Sequence, residues 1–70
     1  MYDYSKLNGK IAECGYTQHG LAKAVKMHPN SLRDRIENRL EFKQDDIIRL
    51  SDLLGIKYKD IPTYFFTIKL

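Results

Sequence analysis

Hydrophobic residues recur along this chain at spacings of three and four, the period of one face of an α-helix. Tyr4, Leu7, Ile11 and Cys14 make the first such stripe, on which Cys14 reads as a small core residue. Asp3 is placed to cap its start and Gly15 to end it. Asn8-Gly9 interrupts the stripe: the pair suits a turn, and a helical glycine costs about 1 kcal/mol against alanine. A second helix begins at the capping residue Thr17 and buries Leu21, Ala22 and Val25. After the break Lys26-Met27-His28, Pro29 stands where a third helix begins, a position whose N–H has no partner anyway. Leu32 and Ile36 are its inner face. Arg39 to Lys43 read as a loop with Leu40 and Phe42 pointing inward, and Phe42 and Ile47 have the spacing of a hydrophobic staple about a cap at Lys43. A fourth helix follows through Ile47, Leu50 and Leu54, with Asp45 and Asp46 favouring its dipole and Gly55 as a left-handed terminator. Then come a short helical turn near Lys59 to Tyr64 and a tail, Phe65 to Leu70, alternating enough for a strand.

The pattern predicts an all-α fold: one domain over residues 1–70, a compact four- to five-helix bundle with room for a short C-terminal strand or arm at about 65–70. A chain of 70 residues buries a limited core. With 30% charged residues and no apolar run near the ~20 residues that span a bilayer, a membrane protein is excluded. The polar start, Met1 to Lys6, has no signal-peptide stretch, and a single cysteine forms no internal disulfide, so the expected compartment is the cytoplasm. Cys14, His19 and His28 lack metal-ligand spacing, adjacent Asp45 and Asp46 point apart, and no phosphate loop or nucleophile elbow occurs. The expectation is therefore no enzyme, no catalytic residue, no metal, no cofactor and no small-molecule ligand.

Residues 17–38 carry the functional signal. Two short helices meet across a tight turn, with small Ala22 at the crossing and Val25, Met27, Leu32 and Ile36 in the angle between them. A helix-turn-helix needs this arrangement, because its second helix must present its first turns to the major groove. With Leu32 inward and about 100° per residue, Asn30, Arg33, Asp34 and Glu37 face away. Asn pairs with adenine, Arg with guanine, and Asp accepts from cytosine. The other reading is an ordinary solvated helix surface. Lys23, Lys26, Arg33, Arg35, Arg39 and Lys43 surround the unit, against Asp34, Glu37 and Glu41. The net charge of +3 adds little by itself.

Thr17-Gln18-His19-Gly20-Leu21-Ala22, then Leu32, Ile36-Glu37-Asn38, Phe42, Ile47 and Leu53-Leu54-Gly55-Ile56, resemble the Cro/repressor-type (XRE-like) helix-turn-helix family. The similarity is greatest to short Cro-like regulators of phages and prophages of Gram-positive bacteria, and it extends through Asp60-Ile61 and Tyr64-Phe65-Phe66. The resemblance implies a lambda-repressor-like fold whose third helix enters the major groove of double-stranded DNA. It places Pro29, Asn30, Arg33 and Asp34 at base-reading positions. It places Thr17 and Gln18, with Ser31, Arg39 and Lys43, near phosphate. Two departures stand out: Lys26 occupies a turn position where the family prefers glycine, and His28 replaces the usual Ser/Thr cap.

A transcriptional regulator on a palindromic operator is the function this implies. One small domain reads few base pairs, which favours a homodimer on DNA. Phe66, Ile68 and Leu70 share one face of the tail and are the candidate dimer contact. The aromatic cluster there equally suits closure of the monomer core. The alternative function is a protein-interaction module on the same fold that binds another regulator.

Overall fold

A computed structural model describes all of residues 1–70. Its helices are α1 (Ser5–Glu13), α2 (Gln18–Ala24), α3 (Pro29–Ile36), α4 (Gln44–Leu54) and α5 (Ile61–Phe65), with one 3-10 turn at Tyr58–Asp60. The first four all end in the same way. Gly15, Lys26, Asn38 and Gly55 take positive φ, at 83°, 58°, 64° and 71°. The next amide in each case turns back onto the helix: Tyr16 to Ile11 C=O, Met27 to Ala22, Arg39 to Asp34, and Ile56 to Ser51, at 2.8–3.1 Å. This closure satisfies carbonyls that a helix end would leave bare. Glycine makes the turn without strain, and asparagine tolerates it. Lys26 carries the side-chain clash of the left-handed region, about 1–2 kcal/mol. The expected strain at Lys26 is thus present, and the turn is kept.

Helix starts follow the chemistry of the residues before them. Thr17 Oγ1 accepts from Gly20 N–H at 3.0 Å. A Cβ on Gly20 would stand 3.2 Å from that oxygen, so glycine lets the cap close tightly. His28 caps α3 through Nδ1, which accepts from Asn30 N–H at 3.1 Å. Pro29 is in the first turn of α3. Asp3 Oδ1 accepts from Ser5 N–H at 2.9 Å and starts α1, which runs on through Gly9.

The core gathers Tyr4, Leu7 and Ile11 of the first segment with Leu21, Ala22 and Val25, Leu32 and Ile36, Ile47, Leu50 and Leu54, then Ile56 and Phe65. The result is a compact all-α bundle of five helices without strands. No helix is long and apolar enough to cross a membrane.

Three expectations are corrected. Cys14 is exposed: α1 ends at Glu13, so position 14 has left the helical stripe, and its thiol lies 3.5 Å from Leu54 C=O. Leu40 points outward and is 49% exposed, while Phe42 packs against the core. The tail makes only one antiparallel bridge, Ile68 to Tyr2 of the same chain.

Candidate functional site

α2 and α3 are two short helices that pack against each other across a tight turn at 25–28. Leu21, Ala22, Val25 and Leu32 are buried between the helices, and the first turns of α3 face solvent. Asn30 and Arg33 are exposed, and Pro29, Ser31 and Asp34 are half-buried. Thr17, Gln18, Arg39 and Lys43 are exposed around them. Gln18 leans on α1, where its amide donates to Asn8 Oδ1 at 3.4 Å.

Charge on this surface is largely spoken for. The Arg39 guanidinium bonds Asp34 Oδ1 at 3.3 Å and also Glu37 Oε1. Arg33 Nε lies 3.8 Å from the same Asp34 oxygen. Arg35 is withdrawn altogether, which corrects its place in the basic cluster. Its Nε donates to Asp46 Oδ2 at 3.1 Å, its other donor reaches Ser31 C=O at 3.1 Å, and its side chain is 11% exposed. Lys23, Lys26 and Lys43 remain as exposed cations without a carboxylate partner.

Asp46 is the hub that dipole reasoning missed. One oxygen accepts from Arg35 and from Lys43 N–H at 3.0 Å, and the other from Arg49 at 3.0 Å. Arg49 also donates to Val25 C=O at 2.9 Å. A single buried carboxylate thus ties α3, the start of α4 and the end of α2. Its signal in the sequence was its place beside Ile47, one step round α4 from the buried stripe, with an arginine three residues on.

A second surface lies past the end of α3. A groove of about 440 Å³ is lined by Met1, Tyr2, Tyr4, Leu40, Phe42, Phe65 and Phe66, with Asn38, Arg39, Glu41 and Ile47. Its rings form a chain. Phe66 meets Tyr2 edge-on at 6.1 Å, Tyr2 meets Tyr4 at 6.1 Å, Tyr4 meets Phe42 at 5.3 Å, and Phe42 meets Phe65 at 5.3 Å. Burial, and then the neighbouring Tyr2 and Glu41, push the Tyr4 phenol pKa up. Leu40, Phe66 and Met1 remain exposed at the rim. Of the tail residues, Phe66 joins this groove, while Ile68 and Leu70 stand outside it in solvent. The signal for the groove was the crowding of aromatic residues at both ends of the chain. No three His, Cys, Asp or Glu side chains gather as a metal set.

The chain is similar to the modulator of repression (MOR) of the temperate bacteriophage TP901-1 from Lactococcus lactis, known from its solution structure. The two are 33% identical, with a TM-score of 0.82 over 97% of this chain and 95% of the phage protein. No curated protein matches the chain. Neither the family description nor the phage protein's name indicates an enzyme. A family model matches residues 1–68, and the chain belongs to that family, described as a protein of unknown function (DUF739).

Proposed function

We propose that this chain modulates transcriptional repression by docking on a partner regulator protein, with the aromatic groove and the adjoining end of α3 as its contact. The observation that carries this reading is the groove. It is concave, built from aromatic rings and edged by exposed Leu40 and Phe66. Exposed apolar patches rich in aromatic residues and edged by polar ones, here Asn38, Arg39 and Glu41, mark protein interfaces. The neighbouring α3 face supports it, since Arg39 is held by Asp34 and Glu37 instead of standing free for phosphate. The phage protein that this chain resembles is named for an effect on repression.

A second reading rests on the helix-turn-helix itself. Asn30 and Arg33 are exposed on the first turns of α3, where a Cro-like repressor would read base edges of a palindromic operator as a homodimer. Thr17, Gln18, Ser31, Lys43 and a released Arg39 would then meet phosphate.

One experiment separates the two. A photo-crosslinking amino acid at Leu40 is expected to capture a DNA-binding regulator in cells, identified by mass spectrometry. In parallel, selection from a random duplex pool is expected to enrich no site. A consensus site enriched by the native protein and lost in Arg33→Ala, with affinity falling steeply as salt rises and no protein captured, would instead establish DNA reading.

A further inference from the structure

One groove wall, Tyr2, is held from both sides. On one side its neighbours pair with the tail: Asp3 N–H donates to Thr67 C=O at 2.7 Å and Lys69 N–H donates to Met1 C=O at 3.0 Å. On the other side Tyr2 N–H donates to Asn38 Oδ1 at 2.9 Å, and Asn38 Nδ2 donates to Tyr2 C=O at 2.9 Å. The carboxamide therefore stands where a neighbouring strand would place a peptide group, satisfying both backbone groups of one residue at once. Asn38 is also the left-handed residue that closes α3. That conformation would be met by glycine as well, and it requires no contact with a residue at the far end of the chain.

We infer that Asn38 is the positioning residue of the aromatic groove, clamping Tyr2 so that the groove keeps its shape and its register with α3. Chain ends fray unless tied down. Tyr2 supports the rings on both sides of it, Tyr4 and Phe66. Tyr4 is buried and needs no such help, whereas Phe66 is 47% exposed and has no other ring partner. Without the carboxamide, Tyr2 loses both of its backbone partners, and the segment keeps only the Asp3–Ser5 bond, the ring contacts and the two backbone bonds to the tail. Both ends then loosen together, and the outer half of the groove opens. The core beneath, from Leu7 to Leu54, is buried by its own apolar packing, with Tyr2 resting on its outside.

The role matters for function only if the groove is the docking surface, as proposed above, but its test needs no partner. Asn38→Gly in the full chain keeps the left-handed turn and removes the carboxamide. Lys26→Gly is the control for glycine at such a turn. In Asn38→Gly, exchange of the Tyr2, Asp3 and Lys69 amides is expected to accelerate at least about tenfold, and the Tyr2–Phe66 ring contact to vanish from the NMR spectrum. Amides of Leu21, Leu32 and Leu50 should exchange at the native rate in that variant, and Lys26→Gly should leave the Tyr2 amide as it is. Unchanged Tyr2 exchange in Asn38→Gly overturns the inference. So does equal acceleration of the core amides, or failure to fold, since either makes Asn38 a general structural residue. Failure of the Leu40 crosslink with these NMR results intact would overturn the docking reading and leave the clamp standing.

Discussion

The α3 face and the aromatic groove both look outward, but their groups are satisfied to different degrees. On α3 the acids and guanidinium groups answer one another: Arg39 with Asp34 and Glu37, Arg33 with Asp34. In the groove, Leu40, Phe66 and Met1 have apolar surface and no cover. A polar face that is already paired gains little from a new partner, because each new bond replaces an existing one. An uncovered aromatic hollow gains from any apolar group that fills it. The contrast points to the groove as the place where binding free energy is available, and to α3 as the rigid edge that orients it.

That rigidity can be broken at Asp46. Asp46→Ala leaves Arg35 charged and unpaired against the protein interior, at a cost of about 3–5 kcal/mol. Against the 5–15 kcal/mol typical of a domain, this is a large loss, and urea titration should show it as a marked fall in midpoint. An unchanged midpoint would mean that α3 is held by apolar packing alone. The groove side is sharpened by Phe66→Ala. It should weaken capture of the partner by about 2 kcal/mol, near thirtyfold, while unfolding stability moves little. Arg33→Ala should change capture far less, and the reverse order would transfer the binding role to α3.

Two smaller effects test the frame behind both regions. Thr17→Ala removes the cap of α2 and should cost about 1 kcal/mol in thermal unfolding. Ser51 lies in α4 with its hydroxyl fully buried and without a hydrogen-bond partner. Ser51→Ala should therefore raise stability, by up to about 1 kcal/mol. A fall would show that the hydroxyl has a partner, such as a bound water.

The same contrast explains what could be read from the chain beforehand. Helices α1 to α4 were legible because their caps, their stripes and their left-handed ends are local: Thr17, Pro29 and Gly55 act on residues within one turn, whereas the bond from the Asn38 side chain to Tyr2 is not local and went unread. The strain at Lys26 was legible for the same reason. Cys14 and Leu40 were misplaced because a stripe does not say where the helix beneath it stops or how a loop turns its side chains. Asp46 looked like a dipole residue because its partner Arg35 comes from another helix, and Arg49 alone carries the link on to the Val25 carbonyl. The groove was hidden most deeply. Tyr2 and Phe66 meet only once the bundle has brought the two ends of the chain together.

That meeting has a consequence in time. A ribosome makes Phe66 sixty-four residues after Tyr2. Phe65, buried in the core beneath the groove, is made just before Phe66. The ring contact between Tyr2 and Phe66 spans nearly the greatest separation the sequence allows, so its loop-closure entropy is among the largest in the fold. The groove thus closes only after the whole stretch between its two walls has been synthesised.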